Sequence, residues 1–577
     1  MRITEQFRTL PPRQRAWLPY IVLTGAVFAA YANVYRNEFV WDDLIIIIHN
    51  KLLQHWSDLP GLLGKSANGI FYRPVQMLLY FFVYHAFGFS KAAFHGLNVL
   101  LQAANACLVY RLGCRLGLYQ RASFAAALLW GVHPLWSETV TYISGTPSLL
   151  LVFFIISGLL VLLADFKPRR SGAGQISDAF AQQIPGAFTP RKFWLASLFF
   201  ILALGSKESA VVFPALVTFA LFLVSKERMR LSTYFRTWPL WLLAAACIAE
   251  RLILHDAGII AFDYQDSNYA DFYQHNIINR IITSLATLPA YFSLLVWPTG
   301  LHMDWHFPIF VTPWAWQVLA GILIVALSLL QIIRRRHGLP LTWGLLWFAA
   351  AISPNTGILM PINAVFAEAW IYLPTIGLSL GVAHTVLGWV KTFHSKKPLI
   401  VAAVLVALAA AGLGTKTYLQ NELLRDTVSL FENTLKYHPE SPTAHYELGF
   451  YYFKHDEYKK AEEQLRADEH YGYSLDNNSV ISLHMMLAFI SLEVMPEKEG
   501  VLSIDDIIAA LPRAKDIPGA IEELKLAQKV DPHYYVSNSF LAAIYYYLKD
   551  KKQGDYYKAL ADKNPPKNDD FPNDESP

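Results

Sequence analysis

Apolar runs of about 20 residues, separated by short polar breaks, fill the chain from Trp17 to about residue 418 and then stop. Runs of that length cross a bilayer as helices, because a helix satisfies its own backbone polar groups in lipid. The pattern predicts an all-α, polytopic membrane bundle of about eleven spans. The first run, Trp17 to Val34, is followed by no small-residue cleavage site and is expected to stay attached as a span. Phe193 to Val224 is too long for one crossing and is interrupted at Gly205-Ser206-Lys207-Glu208-Ser209, which predicts two short half-runs with a tip near lipid headgroups. Ile281 to Trp297 is apolar enough to span, yet counting it breaks the alternation of the loops around it. It is expected to be re-entrant or interfacial.

Past Asn421 the apolar period becomes that of soluble paired helices. Leu448-Gly449, Tyr452, Tyr458, Ala461 and Leu465 stand at tetratricopeptide offsets within Pro442–Tyr473, and Phe431 with Pro439 form a preceding half-unit. Ala520, Leu524, Ala527 and Pro532 mark a further unit, followed by Leu541-Ala542 and Tyr545. Alternating small and large residues let helix pairs stack into a solenoid with a concave, peptide-binding face. A docking or dimerisation arm is the plainer use of such an array. The expected division is 1–418 membrane bundle, 419–563 helical repeats, and 564–577 a disordered Pro/Asp/Asn-rich tail.

Composition agrees with this picture. Of 577 residues, 54% are hydrophobic and only 16% charged, against about 25% in soluble domains, and mean hydropathy is +0.29. The net charge of +3 is small; its placement says more. Basic clusters at Arg2/Arg8/Arg13/Arg15, Arg111/Arg115/Arg121, Lys167/Arg169/Arg170 with Arg191/Lys192, Lys226/Arg228/Arg230/Arg236, Arg334/Arg335/Arg336 and Lys391/Lys396/Lys397 read as cytoplasmic anchors. The turns between them, around 42–89, 133–145, 205–209, 255–280 and 354–368, then lie outside. The N-terminus is expected in the cytoplasm and the repeats in the periplasm or lumen. The three cysteines, Cys107, Cys114 and Cys247, lie in or beside spans. With none in the tail, a bacterial inner membrane is favoured over an endoplasmic reticulum. No nucleotide-binding fingerprint or His-x-x-x-His metal spacing stands out, and nothing points to nucleic acid.

Candidate chemistry gathers on the outer side. Trp41-Asp42-Asp43 places two carboxylates just past the first span, where charge is costly unless it faces a cavity or partner. Around it lie Arg73, His133, Glu138, Lys207, Glu208, Arg280, Asp304 and Glu368. Each alone is as well explained by a helix end, an internal pair or an interfacial anchor; their convergence on one membrane face is not. A carboxylate ionised at neutral pH can take the proton of an attacking hydroxyl, and Arg73, Lys207 and Arg280 suit phosphate oxygens. The combination implies glycosyl transfer from a polyprenyl-phosphate sugar. Paired aspartates could also hold Mg or Mn, but a monophosphate donor needs less neutralisation than a diphosphate, so no obligatory metal is expected.

The stretches Phe39-Val40-Trp41-Asp42-Asp43 with Asn50, Tyr72-Arg73-Pro74-Val75, Phe94-His95-Gly96-Leu97-Asn98, His133-Pro134 with Glu138, Ser206-Lys207-Glu208, Trp297-Pro298 through Asp304-Trp305, and Glu368 with Tyr372-Leu373-Pro374 occur in that order. Together they resemble the transmembrane and tetratricopeptide-repeat O-mannosyltransferase family of the C-type glycosyltransferases (GT-C) over nearly the whole chain. The resemblance implies an inverting transferase that moves sugar from a dolichyl- or undecaprenyl-phosphate carrier to a protein Ser/Thr hydroxyl. Its catalytic carboxylate maps to Asp42 or Asp43, with Asp42 favoured as base. Gly145-Thr146-Pro147-Ser148-Leu149-Leu150 lacks an arginine and an acid that the family carries there, and the repeat array is shorter than usual, as in a bacterial relative. The sugar is left open. A lipid or glycan acceptor, or a lipid-linked sugar flippase with a repeat scaffold, are the rival readings. A flippase should place polar groups at the midplane and show symmetry between halves, and neither pattern is evident.

Overall fold

A computed structural model describes residues 12–64, 72–164, 189–225, 237–256, 273, 275–334, 339–358, 364–393, 395–471, 477–493 and 503–565. The basic runs at 167–170 and 226–236, the loop 257–272 and nearly all of the expected disordered tail lie outside these residues.

Every regular element among the described residues is helical, and none is a strand. The chain divides into two compact units. The first comprises Met1–Tyr264, Asp271–Leu301 and Phe307–Asp426; the second comprises Gln265–Ala270, His302–His306 and Thr427–Pro577. Among the described residues, five helices are long and apolar enough to cross a membrane, namely Lys91–Arg115, Ile143–Leu162, Ile277–Val296, Trp316–Arg334 and Lys397–Glu422. Shorter apolar helices, among them Pro74–Phe87, Glu208–Leu223 and Pro374–Val390, accompany them. Lys397–Glu422 leaves Ile400, Leu405 and Leu408 about 60% exposed or more, a surface suited to lipid rather than water.

The helices of the first unit meet through small residues. Leu339–Ile352 and Pro374–Val390 cross where a Cβ on Gly344 would stand 2.6 Å from the Gly377 carbonyl and one on Gly381 2.6 Å from that of Pro340. A Cβ on Gly377 would strike the indole of Trp347. Gly377 and Gly381 form a G-x-x-x-G pair, which lets backbones approach where lipid supplies no hydrophobic drive between helices.

Two sequence expectations can be examined directly. The long run 193–224 does break where its polar tip predicts: Pro190–Leu204 ends at Gly205, and a 3₁₀ turn, Glu208–Val212, leads into Phe213–Ser225. The re-entrant fold expected at 281–297 is not formed. Ile277–Val296 is one uninterrupted helix of 20 residues, capped by Asn276, whose side chain accepts from the Ile278 and Asn279 N–H groups. A continuous helix excludes a re-entrant turn in this segment and agrees with either a crossing or the interfacial placement also expected from the sequence.

In the second unit, Pro442–Lys454 and Tyr458–Tyr471 pair as a helical hairpin. Ser441 caps the first helix by accepting from Ala444 N–H at 3.2 Å. The residues that carry the repeat spacing fill the contact: Leu448, Ala461 and Leu465 are buried, and a Cβ on Gly449 would sit 2.7 Å from Leu465. Ala520, Leu524 and Ala527 join Phe489, Phe540, Leu541 and Ala542 in a second core. Within this unit Asp304, at φ +58°, accepts from Ser441 Oγ at 2.8 Å.

Candidate active site

The first unit builds its polar site around the corner at Trp41. Trp41 adopts φ +53°, a left-handed conformation that costs a bulky residue about 1–3 kcal/mol. Its ring stacks on Tyr142 at 6.2 Å between centroids, and the strained turn sends the next two carboxylates to different surroundings. Asp43 is fully buried. Its Oδ1 accepts from Ser144 N–H at 2.8 Å and Ser144 Oγ–H at 2.5 Å, and its Oδ2 accepts from Val40 N–H at 3.3 Å. Burial pushes its carboxyl up to about 7 against those hydrogen bonds. Asp42 is half-buried. Its N–H donates to the Tyr142 hydroxyl at 3.2 Å. Burial raises its carboxyl above the ordinary range, offset in part by a hydrogen bond between the carboxyl and the Tyr142 hydroxyl and by the charge of Arg73.

The loop carrying Tyr142 and Ser144 is held from beneath. Asn98 Nδ2 donates to the Val140, Tyr142 and Ile143 carbonyls at 3.2–3.4 Å, while its Oδ1 accepts from Thr146 Oγ1 at 2.6 Å. Tyr80 hydroxyl adds a 2.8 Å bond to the Ile143 carbonyl. Asn98, chosen from the Phe94–Asn98 motif, therefore shapes the loop.

A second group forms where Pro74–Phe87 begins and Pro190–Leu204 ends. Val75 N–H donates to the Gly205 carbonyl at 3.0 Å, and a Cβ on Gly205 would stand 2.7 Å from Val75, so glycine is needed for the approach. This brings Arg73 to Glu208: Nε and Nη2 fork onto the two carboxylate oxygens at 3.2 and 3.1 Å. Arg251 also flanks Glu208, with Nη1 3.5 Å from Oε1, while its Nη2 donates to the Tyr72 carbonyl at 2.6 Å. Lys207 does not form the internal pair with Glu208 that its sequence position offers. Its Nζ donates to Ser148 Oγ at 2.8 Å and lines a cleft with Ser148, Ser209, Asn355, Trp370 and Tyr372.

The remaining candidates scatter in role. Glu138 accepts from Ala369 N–H at 3.3 Å, at the start of the 3₁₀ turn that buried Glu368 opens; this carboxylate braces a neighbouring turn while lying in the field of Lys207. His133 uses both ring nitrogens: Nδ1 accepts from Leu135 N–H at 3.2 Å and Nε2 meets the Leu295 carbonyl at 3.1 Å. Arg280 lies near the start of Ile277–Val296, its Nε and Nη1 buried without a hydrogen bond among the described residues. Asp304 belongs to the other compact unit.

Sequence reasoning passed over Arg251, Tyr142, Ser144 and Ser148. Arg251 had a usable signal, since a lone arginine inside the apolar run Trp238–Asp256 is costly without a partner. The other three are ordinary polar residues until the fold brings them to a carboxylate or an ammonium.

With this geometry in view, similarity to known proteins becomes informative. The chain is 26% identical over 504 residues to protein O-mannosyl-transferase TMTC4 of Homo sapiens, an alignment covering 76% of this chain and 64% of that protein. It is 24% identical over 479 residues to protein O-mannosyl-transferase TMTC1 of Homo sapiens, covering 74% and 52%. Against protein O-mannosyl-transferase F38B6.6 of Caenorhabditis elegans it is 23% identical over 444 residues, covering 74% and 59%. The chain is thus similar to the transmembrane and tetratricopeptide-repeat O-mannosyltransferases. The resemblance carried by the motifs is thereby borne out. The chain spans less than two-thirds of the length of these curated relatives. No protein-family model matches it, and no solved structure is significantly similar.

Proposed function

We propose that this chain transfers a sugar from a polyprenyl-phosphate carrier to a protein Ser/Thr hydroxyl, with inversion at the anomeric carbon. The observation that supports this best is the division of labour between the adjacent aspartates. Asp43 is occupied on both oxygens, whereas Asp42 is half-buried, raised in basicity and in the field of Arg73. In this reading Asp42 takes the acceptor's proton as its oxygen attacks C1, and the C1–O bond to phosphate breaks in the same displacement. The electron pair leaves with the carrier, so its phosphate gains a negative charge that Arg73 and Lys207 stabilise. Such charge stabilisation acts mainly on the transition state, where it speeds the reaction. These cations make an obligatory metal unnecessary, and Mg or Mn is the alternative that chelation would test.

The names of the relatives support protein as acceptor, and the repeat hairpins of the second unit are proposed to hold it. The wider architecture proposed is a GT-C bundle of about eleven spans, its N-terminus cytoplasmic and its repeats periplasmic or lumenal. The membrane is that of a bacterial cell or the endoplasmic reticulum.

The deciding experiment incubates detergent-purified protein with labelled polyprenyl-phosphate sugars and an acceptor peptide. Asp42→Asn should lower transfer by about 10²–10⁴-fold, the usual worth of general-base catalysis. Equal transfer in wild type and variant removes Asp42 from the chemistry. Label moving only to lipid or glycan would shift the acceptor reading, and translocation without transfer would favour the flippase.

A further inference from the structure

We propose that Glu208 is a movable counter-ion: it occupies Arg73 in the resting site, the carrier phosphate displaces it, and Arg251 is the positioning residue that receives it. This rests on the reading of the site as a polyprenyl-phosphate site and names how that site exchanges anions.

Arg73, Arg251 and Lys207 lie around one carboxylate, Glu208. Asp42 lies in the field of Arg73 and Glu138 in that of Lys207, so these cations already have anions beside them and a further anion must displace one to reach a guanidinium. Arg73 is already forked onto Glu208 through Nε and Nη2. A phosphate seeking the same planar fork must compete with that carboxylate.

Geometry then says where the carboxylate can go. Arg251 is fixed independently of Glu208 by the 2.6 Å bond from Nη2 to the Tyr72 carbonyl, with its guanidinium 5.7 Å over the Tyr72 ring. Its Nη1 stands 3.5 Å from Oε1, longer than a good hydrogen bond, and its Nε is buried with no hydrogen bond among the described residues. Arg251 Nη1 thus stands beside the carboxylate, just short of a hydrogen bond to it. A shift of Glu208 by less than about 1 Å would complete the contact. Exposure favours the same order of events: the Glu208 side chain is 36% exposed, Arg73 14% and Arg251 11%. The anion that must move is the most accessible of the three. The cation that receives it is the most enclosed.

The test is a double-mutant cycle on the full-length protein in detergent. Binding of undecaprenyl phosphate is measured by intrinsic tryptophan fluorescence, with undecaprenol as the uncharged control. Glu208→Gln should tighten binding several-fold, because it removes the competing anion. Arg251→Met should weaken it about 10-fold, because Glu208 then stays on Arg73, and Arg251→Lys should fall between that variant and wild type. In the Glu208→Gln background Arg251→Met should change affinity by less than about twofold, since residues acting through one another are not additive. The proposal is overturned if Arg251→Met weakens binding equally in both backgrounds, if it has no effect in either, or if wild type does not prefer the phosphate to the alcohol. These results stand apart from the transfer assay. Loss of activity in Asp42→Asn with an additive cycle would leave the transferase and remove the exchange. The expected cycle without sugar transfer would leave the exchange and remove the transferase.

Discussion

At the scale of residues, neighbouring side chains of identical chemistry are given opposite tasks by one strained backbone position. Trp41 at φ +53° turns the chain so that Asp43 enters the interior while Asp42 stays at the rim. Removing either should therefore fail differently. Asp43→Ala leaves the Ser144 and Val40 N–H groups without acceptors, and a buried unpaired donor costs about 1–3 kcal/mol. Its melting temperature in detergent should fall, whereas that of Asp42→Asn should remain near wild type; matching losses would refute the division. The raised basicity of Asp42 also sets a pH profile. A general base works when deprotonated, so kcat/KM should rise with pH through an acid limb above the ordinary carboxylate range near 4. A limb at or below that range would show that burial is not governing the base.

Elements are held together in the first unit by close backbone approach. Gly377 and Gly381 let Pro374–Val390 press against Leu339–Ile352 and place Trp347 over the missing Cβ. Gly377→Ala should overpack the crossing and cost about 1–3 kcal/mol, read as a lower melting temperature; an unchanged value would mean that the helices can separate freely. The element boundaries near the site were largely readable. Pro74 and Pro374 sit at helix N1 positions, and the polar tip at Gly205–Ser209 marks a real break. The continuity of Ile277–Val296 was not readable from loop charge, because a signal about sidedness says nothing about whether a helix runs on.

Taken as a whole, the molecule should show a stability that depends on pH through the helices of its second unit. Asp468, in the helix Tyr458–Tyr471, is buried, and neither carboxylate oxygen has a hydrogen-bond partner among the described residues. Burial raises it to about 7, with the charge of Glu469 adding to the shift. The folded state then binds a proton that the unfolded state releases near 3.8. Stability from this residue is present below about 4 and is lost as pH rises towards 7. Asp468→Asn should slow amide exchange in that helix at pH 8 relative to wild type, with the difference shrinking at pH 5. Equal exchange at both pH values would refute the assignment.

Several features of this protein were fixed by the order of its residues alone. Apolar run length made the long apolar helices, small–large alternation made the helical hairpin of the second unit, and ordered short motifs carried the family likeness, because each is a local property of the chain. Sequence also collected Asp42, Asp43, Arg73, Lys207 and Glu208 as one outer-face group. Their pairing needed the fold. That Arg73 takes Glu208, that Lys207 reaches Ser148 instead, and that Arg251 joins from a distant helix depends on segments up to 179 residues apart meeting in space. Desolvation and hydrogen-bond competition act only once those segments touch, so the chemistry of each charge was decided by tertiary structure.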